Sequence, residues 1–406
     1  MRAAGVIVEY NPMHNGHCYH IQQTKKVTGA DAIVAVMSGH FLQRGEPAIV
    51  NKWARTEMAL QNGVDLVLEL PIFYSIQSAR LFAFGAVATL DRCGVVDSIC
   101  FGSEKGDLRS LQQLAALIAD PPPALQSILQ TKIKQGLAYP AAYAASLREY
   151  AATTGTLDPE IVDHPNNMLG IEYLHALQKL NSSIRPFTIG RMAAHYHDAT
   201  FSDRSIASAT AIRRAIADGQ PIDSYLPAVN LEIMRGEFAA GRGPVDWDSF
   251  TQPIFALLAR STVRELETYL HVDQGLAVRM LESLPYASRT SELLYRVKTR
   301  SYTWTRIQRA LTSLLLGIRK QTADSLHLEN GPDSIRVLGF TETGRHLLKE
   351  AASVSTLPIF TSIAKEVPPM VEMNLRASDL YGLAYVNRTP ENRRREAEVP
   401  VVRLGS

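Results

Sequence analysis

The first half of the chain alternates short, nearly uninterrupted apolar runs with stretches whose apolar positions recur every three or four residues. The runs AAGVIVE (3–9), AIVAVM (32–37), VDLVLEL (64–70) and DSICF (97–101) are mostly rich in β-branched residues. That is the pattern of strands buried on both faces. Between them, CYHIQQTKKV, NKWARTEMALQN and IQSARLFAFGAVATLDR carry helical spacing. Strand, helix, strand in this rhythm predicts βαβ units and a parallel sheet, an α/β fold. A fifth strand is predicted at RPFTIGR (185–191), after a helical insert that PPP (121–123) opens and HPNNMLGIEYLHALQKL closes. A further helix, SATAIRRAIADG (208–219), stops at Gly219 ahead of Gln220 and Pro221.

The second half changes period. From about 249 to 325 Leu, Ile and Val fall at helical spacing, and two short strands around a helix are predicted near the end, in DSIRVLGFTETGRHLLKEA and LPIFTSIA. The pattern loosens between 220 and 245, which predicts an α/β domain over 1–235 and a mainly helical domain over 236–406. The tail NRTPENRRREAEVPVVRLGS is polar and is expected to be loosely ordered. No internal repeat is visible.

Composition narrows the setting more than the function. A formal net charge of +2 means that any nucleic-acid surface must come from local clustering. Three cysteines, Cys18, Cys93 and Cys100, form no CxxC pair and read as reduced thiols, which argues against a zinc ribbon. The N-terminal apolar stretch is short for a signal peptide and runs straight into Glu9, and no apolar run approaches the roughly 20 residues that span a bilayer. The expectation is a soluble, cytoplasmic protein.

The chemistry concentrates at VEYNPMHNGHCYH (8–20), directly after the first strand. His14 and His17 have HxxH spacing, but the HExxH carboxylate is missing, so a metal site is poorly supported. The bland alternative is that Asn11, Pro12, Asn15 and the histidines only shape and cap a turn. A third reading explains more of the pattern. A loop that leaves the first parallel strand and enters a helix is where open α/β sheets bind nucleotides, and Gly16 lets backbone amides approach phosphates.

HNGH (14–17) after a buried strand resembles the HxGH signature of the HIGH-type nucleotidyltransferase superfamily, which shares its fold and adenylating step with class I aminoacyl-tRNA synthetases. NKWARTEMAL (51–60) resembles the basic RxxM helix of small nucleotidyltransferases. IASATAIRRAI (206–216) resembles their late S-[ST]-T-x-[IL]-R signature, departing from it at Ala209, where the pattern has a hydroxyl. Taken singly, each stretch also reads as an ordinary amphipathic or N-capped helix. Their order along the chain favours the resemblance.

Longer stretches narrow it further. VEYNPMHNGH, AVMSGHFLQRGEPAIVNKWAR, FGSE (101–104), HPNNMLGIEY (164–173) and KTRSYTWTRIQR (298–309) together resemble the bacterial tRNA(Met) cytidine acetate ligase family over nearly the whole chain. The resemblance implies a Rossmann-like catalytic domain that activates acetate with ATP, expected with Mg2+, and releases pyrophosphate. The acetyl group then passes from acetyl-adenylate to the wobble cytidine of elongator tRNA(Met). It also implies that Ile7, Val8, Glu9, Tyr10, Asn11, Pro12, Met13, His14, Asn15, Gly16, His17, Cys18, Tyr19 and His20 hold ATP. His14 and His17 would lie at the phosphates. Gly102, either Asn166 or Asn167, and Arg191 would complete the nucleotide site, with Ser208, Thr210 and Arg213 at the pyrophosphate.

Two more polar stretches call for a role. SGHFLQRGEPAIVNKWAR follows the second strand, and acetate needs a cation; Lys52, Arg44 and Arg55 are the candidates, with Lys52 placed in the catalytic set. YRVKTRSYTWTRIQRALTSLLLGIRK (295–320) mixes Arg296, Lys298, Arg300, Arg306 and Arg309 with Tyr302 and Trp304 and contains no acid. Cations meet phosphates and aromatics stack on unpaired bases, which makes it the candidate tRNA surface; the plain alternative is a solvated basic face over core aromatics. RRR at 393–395 adds less. Two other functions are weighed. A small-molecule nucleotidyltransferase would leave the basic helical half without a purpose, and a non-catalytic nucleotide-dependent RNA binder would make SATAIR superfluous.

Overall fold

The computed structural model describes residues 1–104, 106–137, 139–155, 165–190, 207–392 and 396–405. Strands form where the apolar runs lie: β1 (Ala3–Val8), β2 (Ala32–Ser38), β3 (Leu66–Leu70), β4 (Ser98–Ser103) and β5 (Arg185–Gly190). They are parallel to one another. Every residue of β2 and β3 is buried, because both faces of the sheet are covered. Side chains still alternate between two layers. Val34, Val36 and Leu68 pack into one core, Ile33, Ala35, Met37 and Val67 into the other.

Strand order is what positions a site. In the order β5-β4-β1-β2-β3, the chain runs outward from β1 through β2 and β3, then crosses back to β4 on the other side of β1. The carboxyl ends of β1 and β4 are therefore the switch point at which such sheets bind ligands.

The sheet does not stop at the boundary expected at residue 235. β6 (Ile335–Thr341) adds antiparallel to β3, and β7 (Ile359–Phe360) and β8 (Val402–Leu404) pair with β6. β6 and β7 are the two late strands expected, with helix Glu342–Val354 between them. The expectation of a loose tail is corrected: it supplies β8, and its Glu396 is only 2% exposed. RRR at 393–395 lies outside the described residues. The stretch 249–325 is helical, as its spacing predicts, and includes helices Thr290–Val297 and Trp304–Leu316. Among the described residues no helix is long and apolar enough to cross a membrane.

Candidate active site

β1 passes into α1 (Asn15–Thr28) at the switch point. Tyr10 takes a left-handed backbone, φ 49°, that turns the chain sharply at the strand end. Val8, Tyr10 and Met13 belong to the core. Their side chains pack inward, so at these positions the loop presents its backbone. Cys18 also turns inward, with Sγ 3.4 Å from Asn62 Oδ1, and burial pushes its thiol up to about 12. Burial pushes His20 down to about 4. Glu9, Asn15, Gly16, His17 and Tyr19 remain partly exposed.

The histidine pair closes the start of α1. His14 is the N-cap, its Nδ1 accepting the Gly16 N–H at 3.1 Å, and His17 Nδ1 accepts the His14 N–H at 3.2 Å. This reciprocal capping box is made here by two imidazoles, whose rings stack with centroids 3.8 Å apart. An accepting Nδ1 carries no proton, so the donor of each ring is Nε2. One nitrogen of each ring fixes the start of a helix whose terminus favours anions.

The late motif folds onto this loop. Helix Ala209–Ala217 begins at Ser208, whose Oγ accepts the Ala211 N–H at 3.2 Å, and Ser208 and Thr210 are exposed at its start. Arg213, one turn in, donates through Nη1 to Asn11 O at 2.7 Å and through Nη2 to Glu46 Oε1 at 2.8 Å. Asn11 Oδ1 accepts the Ile49 N–H at 2.7 Å, and Asn15 Nδ2 donates to Ser224 O at 3.0 Å. One planar fork thus ties three segments together at the end of β1.

On the β4 side, Gly102 is partly exposed near the strand end, and the Glu104 N–H donates to Asn167 Oδ1 at 3.0 Å. Asn167, 3% exposed, thus ties its helix to the β4 exit. Arg191 and the side chain of Asn166 lie outside the described residues. Sequence reasoning missed the support behind the loop. Asn230 takes a bond from Asn62 Nδ2 at 2.8 Å and donates to Met13 O at 3.2 Å. A single Asn inside a helix gives no signal of that kind.

The second polar stretch behaves differently. Lys52, the first residue of α2 (Lys52–Gln61), is 0% exposed, with Nζ 2.7 Å from Glu69 Oε1 and 2.7 Å from Glu396 Oε1. Ser378 donates to Glu396, and His40 Nδ1 lies 3.0 Å from Ser378 Oγ. Two carboxylates already use the ammonium charge, so Lys52 is withdrawn as the acetate cation. Arg55 is withdrawn too. Fully buried, it donates to the carbonyls of Glu9, Ser38, Gly39 and Val50 and clasps the ends of β1 and β2. Of the three cations proposed, Arg44 is exposed.

The basic stretch also divides. Arg309 is drawn against the catalytic half, Nε donating to Gln43 O at 2.8 Å, and a side chain at Gly45 would run into its backbone. Tyr302 donates to Asp273 at 3.0 Å, and Arg306 pairs with the same carboxylate. Arg309 is thus committed to Gln43, while Tyr302, Arg306 and Asp273 form a half-exposed cluster at the surface. Arg296, Lys298 and Arg300 are exposed, as are Tyr295 at 75% and Trp304 at 42%, whose rings lie 6.5 Å apart. Arg296 stands 6.0 Å over the exposed ring of Tyr286.

A parallel sheet with a histidine-capped helix at its switch point and a late arginine closing on the loop is the build of a HIGH-class nucleotidyl transferase. The HIGH Nucleotidyl Transferase family model matches residues 1–397. Within that class, proteins named tRNA(Met) cytidine acetate ligase align along nearly the whole chain. The one from Acetivibrio thermocellus is 41% identical over 95% of this chain and 96% of its own length, and that from Bacillus subtilis is 39% identical over 94% and 92%. A crystal structure of Thermotoga maritima TmcAL bound with alpha-thio ATP matches with a TM-score of 0.90 at 32% identity, covering 100% of both chains. This chain belongs to the tRNA(Met) cytidine acetate ligase family.

Proposed function

We propose that this chain activates acetate with ATP, forming acetyl-adenylate and pyrophosphate, and then moves the acetyl group to N4 of the wobble cytidine of elongator tRNA(Met). The observation that carries this reading is the Arg213 fork, which brings the SATAIR helix onto the HNGH loop across 202 residues of sequence. Displacement at phosphorus needs alignment and charge stabilisation more than covalent help. The α1 amides, the Nε2 donors of His14 and His17, and Arg213 with Ser208 and Thr210 are suited to that work. Among the described residues no group of three or more His, Cys, Asp or Glu is placed to hold a metal ion. Magnesium in this reading is carried by the ATP phosphates, as that ion commonly is. Three buried free cysteines suit the cytoplasm.

Exposed Tyr295, Trp304, Arg296, Lys298 and Arg300 form the surface proposed for the tRNA, with aromatic faces for unpaired bases and cations for phosphates. The test is transfer of labelled acetate to elongator tRNA(Met). Trp304→Ala should weaken tRNA binding by about 10- to 100-fold. Arg300→Ala should lower the slope of log affinity against log salt by about one. Acetate-dependent pyrophosphate exchange should continue in both. Wild-type exchange driven by a nucleotide or another small acceptor in place of acetate would turn the reading toward a small-molecule nucleotidyltransferase.

A further inference from the structure

Transfer from an acyl-adenylate to an amine creates a proton that must go somewhere. The amine lone pair forms the C–N bond, the bond from acyl carbon to phosphate oxygen breaks, and AMP leaves with that electron pair. The nitrogen is then left with one proton too many. A cytosine amine is a weak base, so a neighbouring group has to accept this proton as the bond forms.

We infer that the Glu9 carboxylate accepts it, an assignment that rests on the ligase reading above. Glu9 follows β1 directly, two residues before the Asn11 carbonyl that holds Arg213. Its Oε1 accepts the Gln43 N–H at 2.6 Å, which fixes the side chain, while Oε2 accepts no hydrogen bond from the described residues. Charged and titratable groups face it from each element packed around it. Glu46 comes from the loop after β2 and Arg55 from α2, Tyr173 from helix Pro165–Lys179, Arg213 from helix Ala209–Ala217 and Arg309 from helix Trp304–Leu316.

The three arginines all bond elsewhere. Arg55 serves backbone carbonyls, Arg213 pairs with Glu46 and Arg309 donates to Gln43 O. Glu9 is partly exposed at the end of β1. Here it is positioned by one oxygen and left with the lone pairs of the other. Burial, seconded by Glu46, holds the carboxyl above the usual carboxylate range, nearer the pH at which a general base is most effective.

The experiment uses the full-length chain with Glu9→Gln, which keeps an oxygen for the Gln43 N–H. Acetate-dependent pyrophosphate exchange and single-turnover acetyl transfer to tRNA are read on the same protein, and transfer should fall by about 10²-fold more than exchange. Wild-type transfer should slow as pH drops through the raised Glu9 value. Glu9→Gln should lack that acid limb, and Glu9→Asp should retain it at a lower rate. Equal losses in exchange and transfer, or an acid limb surviving in Glu9→Gln, would overturn the assignment. Wild-type protein with no acetate-dependent exchange would overturn the ligase reading instead. If Glu9→Gln does not fold, Glu9→Asp decides alone, because a transfer rate equal to wild type would exclude Glu9.

Discussion

Two polar stretches follow adjacent parallel strands, and they put their polar groups to opposite uses. After β1, EYNPMHNGH spends one nitrogen of each histidine on capping its own helix start. After β2, SGHFLQRGEPAIVNKWAR turns its charges inward. Lys52 lies between Glu69 and Glu396, and Arg55 is saturated by carbonyls. The second stretch looks more like a site for an anion when read as letters, since it holds three Lys and Arg residues to the first one's none. The difference shows that what matters is whether a charge has been neutralised by its own fold. A fully buried ammonium held between two carboxylates has little left for a substrate, whereas the Arg213 fork, paired once with Glu46, stays partly exposed.

The sharpest way to break this contrast is Lys52→Met. It leaves Glu69 and Glu396 buried beside Arg336, and the cost to unfolding free energy should be about 3–5 kcal/mol, read from urea denaturation. The KM for acetate should stay within a few-fold of wild type in the folded fraction. A KM that rises steeply with stability intact would restore Lys52 as the acetate cation. On the other side, His17→Ala should cut acetate-dependent exchange by about 10²- to 10³-fold, the loss usual when a donor to developing charge is removed.

The histidines sharpen the comparison at a smaller scale. Burial lowers His20 to about 4 and His40 well below its ordinary value, and lowers His271 to about 4. A lowered folded value means these rings stay neutral in the fold while the unfolded chain takes up protons below about 6.5. Their contribution to stability is present above that pH and is lost as pH falls from there toward 4. The loss should approach about 1.4 kcal/mol per pH unit for each ring, measured as a falling urea midpoint between pH 7 and 5. Replacing His20 by Asn should reduce the slope by one ring's share, and an unchanged slope would contradict its burial as a neutral group.

Much of this was legible in advance, for identifiable reasons. Apolar runs buried on both faces cannot alternate, so β1 to β4 announced themselves, and short-range motifs at strand ends located the loop. Contacts between distant segments did not. Nothing in DSIRVLGF says that β6 will lie against β3, and the pairing joins two regions that composition had separated at residue 235. Glu396 sits in a tail whose polar letters suggest disorder, yet one carboxylate meeting Lys52 across 344 residues makes it part of the interior. Arg309 and Arg306 carry the same letters as Arg300. Only packing distinguishes Arg309, held by Gln43, from Arg300, open to a phosphate.

The central claim is that the histidine-capped loop at the switch point adenylates acetate. Radiolabelled pyrophosphate exchange into ATP, run with and without acetate on the full-length chain and on Arg213→Ala, tests it most directly. The account predicts exchange that depends on acetate, needs no tRNA, and collapses in Arg213→Ala. Exchange that ignores acetate, or that survives loss of the Arg213 fork, would contradict it.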